Sequence, residues 1–340
     1  MPMYKTSGVK AFRQWDNQSA EKTYSYDNGG NVLINNSEYT IDNVVSYYRT
    51  PLLNMCAEIS ELSSDWQNVV FLTDTHGSAN KQHSQAMAIY MLEHVSNIDF
   101  IHLNGDYSND PFDLAQYNTF MAPFLSRKTA LKTYAAHGNH ETYGNQASFA
   151  KPAIADDFLY PKDNLHGNLE KTYYYFDNVD KKTRWMVINT SDSSAYSVSS
   201  EQLGWISDNV ILPASDWHLV VIGHVNLWDC GGITTQNETG ATSIINAILS
   251  TNGNLVGYIC GHQHIDHTGN TGQLQQMTLM CDRFENTNYY DGLSYTERVA
   301  DTVNEQALTI LSLNTKTRSV VARRIGAGWS DIISGLHYTY

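Results

Sequence analysis

The sequence predicts an α/β fold with mainly parallel central strands. Six short, nearly continuous apolar runs recur from residue 69 onward, and helix-like segments fall between them. Each run is followed by polar, Gly-rich or His-rich residues. The runs are VVFL (69–72), DFIHL (99–103), LKTYAA (131–136), WMVI (185–188), HLVVI (218–222) and LVGYI (255–259). Stretches of Val, Ile and Leu of this length suit strands covered on both faces. Helices are expected around 81–96, 112–126, 200–209 and 241–250. YYYF (173–176), the turn NVDKKT and RWMVI read as a hairpin, and QALTILSLNTKTRSVVARRI reads as another.

Residues 1–65 have a different character. They are polar and rich in Asn, Ser and Tyr, with a Gly29-Gly30 turn. A helix between Ile41 and Leu62 is expected to be interrupted by Pro51. This part reads as an N-terminal appendage packed on a main domain of residues 66–340, and no internal repeat or low-complexity tract breaks the chain.

At 340 residues, with 41% hydrophobic and 16% charged residues, the composition is that of a globular protein with a sizeable core. The net charge of −14 disfavours long nucleic acid as a partner, while bound cations would reverse the sign locally and admit a small phosphorylated substrate. Cys56, Cys230, Cys260 and Cys281 form no CxxC pair, which argues against a zinc ribbon or a thioredoxin-type motif. Cys260 lies in an apolar run and reads as a small core residue. The start MPMYKTSGVKAFRQWDNQ has no apolar export segment, and no run is long enough to span a bilayer. A cytoplasmic location without membrane contact is the default expectation, although 22 Tyr and many Asn also suit a virion or cell-surface protein.

In open α/β sheets, ligands bind beyond the carboxyl ends of the strands. After VVFL comes Thr73-Asp74-Thr75-His76; after DFIHL, Asn104-Gly105-Asp106; after LKTYAA, His137-Gly138-Asn139-His140-Glu141. After HLVVI comes Gly223-His224, and after LVGYI, Gly261-His262-Gln263-His264. Any one of these is commonplace: Asp, Asn and His sit in turns and caps. Five in succession, four of them with a Gly that permits close backbone approach, point to one shared site. Mixed nitrogen and oxygen donors without thiolate suit Mn, Fe or Zn in a non-structural site. Seven candidate ligands are about right for two ions sharing a carboxylate, the arrangement that activates water and clamps a phosphate.

The five blocks resemble, in order, the D-x-H, GD, GNH, GH and GHxH signature of the calcineurin-like metallophosphoesterases. They stand at Asp74–His76, Gly105-Asp106, Gly138–His140, Gly223-His224 and Gly261–His264. The hairpin YYYFDNVDKKTRWMVINTSD and the helix start EQLGWI are similar to the family as well. The resemblance spans roughly residues 68–265. It implies a four-layer α/β/β/α sandwich with two central β-sheets and a dinuclear site at the strand C-terminal ends. It further implies that Asp74, His76 and His264 hold one metal, that Asn139, His224 and His262 hold the other, and that Asp106 bridges them. The cofactors would be two divalent or trivalent ions (Mn, Fe or Zn). A hydroxide between them would attack phosphorus, with His140 assisting the leaving oxygen.

Two positions depart from the family pattern. Asn109, followed by Asp110, stands where some members carry an aspartate that orients the catalytic histidine, and Glu141 stands where Asp is commoner. The purple acid phosphatase branch would have Gly at the place of His76 and Tyr at the place of Asn109; Tyr107 is at the wrong offset. GDYSNDP lacks the Arg of the serine/threonine protein phosphatase block, and GDYSND is closer to small phosphodiesterases. Hydrolysis of a small phosphodiester, ahead of a monoester, is therefore the expected activity. The rivals are a catalytically silent module of a larger assembly and a nuclease; a complete ligand set argues against the first and the charge against the second. Asp266 and His267 read as loop surface, with support of a ligand histidine as the alternative. His83, His94, His102, His137, His166 and His218 carry no pattern. Trp228, Asp229, Tyr143 and Asn145 are pocket candidates by proximity alone.

Overall fold

The computed structural model describes residues 25–26, 32–33, 39–76, 83–109, 116–117, 120, 123–124, 132–141, 164–192, 196–229, 238–282, 298–328 and 337–340. A two-residue pairing of β1 (Ser25–Tyr26) with β2 (Val32–Leu33) stands apart from two larger sheets. The first large sheet has six strands, formed by β3 (Trp66–Leu72), β4 (Ile98–Asn104), β5 (Thr133–Ala136), β13 (Ala307–Asn314), β14 (Ser319–Gly326) and β15 (His337–Thr339). Its order is β15-β14-β13-β3-β4-β5, with β3, β4 and β5 parallel and the others antiparallel. The second has seven strands: β6 (His166–Asn168), β7 (Tyr173–Asn178), β8 (Thr183–Val187), β9 (His218–Ile222), β10 (Asn254–Cys260), β11 (His267–Thr271) and β12 (Leu274–Thr278). Their order is β11-β12-β10-β9-β8-β7-β6, parallel from β8 through β9 and β10 to β12. Both expected hairpins are present, as β7–β8 and β13–β14.

Alternation along the second sheet shows the layering. Trp185, Val187, Val220, Ile222, Val256 and Ile259 join the large core shared with the first sheet. Met186, Ile188, Leu219, Val221, Tyr258 and Cys260 face the other way, into a second core. That second core is closed by Ile206 of α3 (Ser200–Asn209) and by Ile244 and Ile248 of α4 (Ala241–Leu249). The first sheet is covered by α1 (Ser46–Glu61) and α2 (His83–His94), which contribute Tyr48, Leu52, Met55, Ile59, Met87, Ile89 and Met91. The result is a sandwich of two mixed sheets between helices. A period of two that buries both faces is what makes these strands read as unbroken apolar runs.

Helix α3 starts where its sequence dictates: Ser199 Oγ accepts from Gln202 N, and Glu201 lies in the first turn. Pro51 does not interrupt α1. It sits inside the helix, costing only the bond that its missing N–H would donate to the Tyr47 carbonyl, and the buried Tyr48, Leu52, Met55 and Ile59 hold the helix on the sheet. Most of the expected helix at 112–126 lies outside the described residues, as do Asp110, Tyr143, Asn145 and Cys230. Among the described residues, no helix is long and apolar enough to cross a membrane.

Candidate metal centre

Strands β3, β4, β5, β9 and β10 all end at the same edge of the sandwich, and the loops leaving them are tied to one another. Asp74 N donates to the Gly105 carbonyl (3.1 Å), and His76 N donates to that of Asp106 (2.8 Å). Gly223 N donates to Ile259 O (3.1 Å) and Gly261 N to His224 O (3.0 Å), which joins the loops of the second sheet. His262 N donates to Asp74 Oδ2 (2.9 Å), which joins the two sheets. The approach is too close for side chains. A Cβ on Gly138 would lie 2.2 Å from Asp106 Oδ1, and one on Gly261 would lie 2.0 Å from Thr73 Oγ1 and 2.4 Å from Asp74 Oδ2.

The backbone is left-handed at Asp74 (φ 53°), His76 (47°), Asp106 (54°), His262 (67°) and His264 (55°). Such conformations are costly for residues with a Cβ and cluster at functional sites. They turn successive side chains onto a common point. Three groups of ligand atoms result, each within 4.8 Å: Asp74/His76/His264, His76/Asp106/His140 and Asp106/His224/His262. His264 Nε2 is 3.2 Å from both His76 Nε2 and Asp74 Oδ1. Asp106 Oδ2 lies 2.9 Å from His224 Nε2, 3.7 Å from His140 Nε2 and 4.0 Å from His76 Nε2. Asn139 lies between Gly138 and His140, and His140 N donates to Asp106 Oδ1 (2.9 Å).

Charge and hydrogen bonding suit this cluster to cations. Burial alone would lower the His224 pKa, but the Asp106 and Asp74 carboxylates override it and hold the imidazole up at about 9. Burial opposes ionisation of Asp74 and Asp106 too, yet the surrounding histidines keep both well below the usual carboxylate range. His76 and His262 are pushed down to about 3, first by burial, and are neutral at neutral pH, the form in which an imidazole can hold a cation. His224 Nδ1 lies 2.6 Å from the Asn104 carbonyl, which fixes the ring and turns Nε2 toward Asp106. Asn139 Oδ1 and His262 Nε2 are buried without a hydrogen-bond partner, and a cation would satisfy both. The donor set of imidazole, carboxylate and amide oxygen fits two borderline divalent ions.

All eight residues read from the sequence lie in these loops; His140, with 24% of its side chain exposed, is the most open of the histidines beside Asp106. Asp266 is not loop surface. It is 1% exposed and paired with Arg324. His267 begins the edge strand β11 and is half-buried. His102 packs on Phe71 with Nε2 3.3 Å from Asn104 Oδ1, and His218 meets the Tyr340 hydroxyl at 2.9 Å. Trp228 packs beside the second core, and its carbonyl accepts from Asn226 Nδ2 (2.8 Å).

Three contributors had no role assigned from the sequence. Thr73 Oγ1 donates to Asp74 Oδ2 (2.6 Å). Glu141, fully buried, accepts from Asp106 N, Gly138 N and Tyr107 N at 2.9, 2.9 and 2.8 Å, so its carboxyl fastens the GD loop to the GNH loop. Arg324 stands in an apolar strand, the one signal that a buried partner awaited it.

No curated protein matches the chain. Among solved structures it is similar to a dimetal phosphatase from Danio rerio: 13% identity, 76% of this chain and 96% of that one covered, TM-score 0.49. It is also similar to a purple acid phosphatase from yellow lupin seeds, with 15% identity, 83% of this chain and 53% of that one covered, TM-score 0.49. A third is the Plasmodium protein GAP50, described as the anchor in the inner membrane complex, with 12% identity, 77% and 84% covered and TM-score 0.46. The family model for calcineurin-like phosphoesterases matches residues 67–266, more than half of the chain and the whole span from β3 to the last histidine block. The chain therefore belongs to the calcineurin-like phosphoesterase family and is a metal-dependent phosphoric ester hydrolase.

Proposed function

We propose that the protein hydrolyses a small phosphodiester in preference to a monoester. In this reading Asp74, His76 and His264 hold one cation, Asn139, His224 and His262 hold the second, and Asp106 touches both. The observation that carries it is the sharing of Asp106 between the His76/His140 group and the His224/His262 group. Two bound cations supply an activated water and neutralise phosphoryl charge. Asp106 Oδ1 accepts from His140 N, which sets the His140 backbone, and the partly exposed ring can reach a substrate oxygen and protonate it as it leaves. Asn104 and Glu141 keep His224 and the two loops in place. The block GDYSND, closer to that of small phosphodiesterases, supports a diester over a monoester.

Hydrolysis of bis-p-nitrophenyl phosphate and p-nitrophenyl phosphate should be compared after loading with Mn and, separately, with Fe and Zn. The diester is expected to turn over faster. Asp106→Asn should abolish turnover and weaken metal loading, whereas His140→Ala should lower kcat by about 10²–10⁴ with the metals retained. Full activity in both variants would remove the assignment; no turnover of either ester by loaded protein would favour a silent scaffold.

A further inference from the structure

Resting on that reading of the centre, we infer that the buried Asp266–Arg324 pair is a positioning device for the cation held by His264. The pair would set the affinity of that position without setting that of the position held by His262. The loop Gly261–Asp266 carries one histidine for each position and is anchored at two separate ends. Its front is held within the site, where Gly261 N donates to His224 O and His262 N donates to Asp74 Oδ2. Its far end is held from outside the site. Asp266 Oδ1 accepts from Arg324 Nη2 at 2.6 Å and from Met280 N at 2.9 Å.

Arg324 belongs to β14, in the opposite sheet, and its Nη1 donates to the Ala327 carbonyl (3.1 Å). Both side chains are shielded from solvent, with exposures of 6% for Arg324 and 1% for Asp266. The chain beyond β14 closes over them so tightly that a Cβ on Gly328 would lie 2.8 Å from Asp266 Oδ2 and 2.9 Å from Arg324 Nη1. A buried ion pair is a poor source of net stability, because desolvation consumes most of its attraction. What it supplies here is geometry: a fixed point two residues beyond His264, whose backbone is left-handed and whose Nε2 must lie beside His76 and Asp74. Removing the guanidinium takes the charged partner from a buried carboxylate, and the loop shifts to offset the lost charge pairing. His264 moves with it. His262 stays on its own tie to Asp74.

The test uses the full chain stripped of metal and titrated with Mn²⁺, followed by calorimetry and by electron paramagnetic resonance. Wild type is expected to take up two ions and to give the exchange-coupled spectrum of a manganese pair. Arg324→Met and Asp266→Asn are expected to keep one tight ion and to bind the second about 10–100-fold more weakly, giving the six-line spectrum of isolated Mn²⁺ at the same loading. Arg324→Lys retains charge without the planar fork and should restore part of the coupled signal; it also serves if Arg324→Met fails to fold. Two ions bound with unchanged affinities in the variants would overturn the inference. So would equal weakening at both positions, which is the mark of a merely structural role. Failure of wild type itself to bind a coupled pair would overturn the reading of the centre and the inference with it.

Discussion

Glu238 offers a prediction whose size follows from the structure. It lies where 238–239 runs beside 196–197 at the rim of the site: its N–H donates to the Asn226 carbonyl, Thr239 N donates to Tyr196 O, and the Tyr196 ring sits 5.4 Å from that of His262. Glu238 is only 4% exposed. Burial, with a smaller contribution from Asp192, raises its pKa from 4.5 to about 9 against the opposing effect of the Val198 N–H. The folded chain therefore holds a proton that the unfolded chain releases above pH 4.5. The stability this gives is complete below about pH 4.5 and is lost as pH rises toward about 9. The loss is about 1.4 kcal/mol per pH unit, or about 3 kcal/mol between pH 4.5 and neutrality. Glu238→Gln replaces the neutral acid with a neutral amide of the same shape and has no such slope. Urea unfolding of both proteins in one-unit steps from pH 5 to pH 8 should show the variant gaining on wild type at each step. Parallel stability curves would refute the reasoning, since they would mean that Glu238 is ionised and paired in the folded state.

The centre itself yields two further expectations. With His224 held at about 9 by Asp106 and Asp74, the metal-free protein carries a proton there at pH 8 that a ligand imidazole must give up; loading should release about one proton, read by calorimetry in buffers of differing ionisation enthalpy, and no release would contradict His224 as a ligand. Gly261→Ala places a methyl 2.0 Å from Thr73 Oγ1 and 2.4 Å from Asp74 Oδ2, so it should cost about 1–3 kcal/mol and weaken metal binding; an unchanged melting temperature would show that the loops are looser than these contacts require.

Local chemistry made part of this molecule legible. Helix α3 occupies 200–209 and β9 occupies 218–222, the ranges its capping serine and its apolar run indicate. The clustered His and Asp residues were legible because metal chemistry restricts the choice to a few side chains and the fold puts them directly after strands. What escaped depends on distance along the chain. Strands β11 and β12, HTGNT and LQQMT, are too polar to announce themselves, and β12 is fixed by pairing in parallel with β10. Glu141 has no mark in a sequence where Glu for Asp is a minor change, yet its reach spans three amides of two loops. Arg324 meets Asp266 across 58 residues, and no local pattern joins them.

The left-handed residues connect the two kinds of information. Of the nine non-glycine residues with positive φ among those described, five are Asp74, His76, Asp106, His262 and His264. Each such conformation costs on the order of 1 kcal/mol or more and persists only where neighbours over-determine it. Those neighbours are backbone and carboxylate acceptors: Asp74 N donates to Gly105 O, His76 N to Asp106 O, His262 N to the Asp74 carboxylate and Asp106 N to that of Glu141. Asp and His, with Asn, are also the residues that tolerate the left-handed region best. Metal chemistry and turn geometry thus select the same small set of side chains. The spacing of two in 74/76 and 262/264 fits this: a second left-handed residue two positions on turns its side chain back toward the same centre, into one group for Asp74 and His76 and into neighbouring groups for His262 and His264. A substitution that merely conserves donor chemistry is not equivalent there; it has to accept the backbone as well.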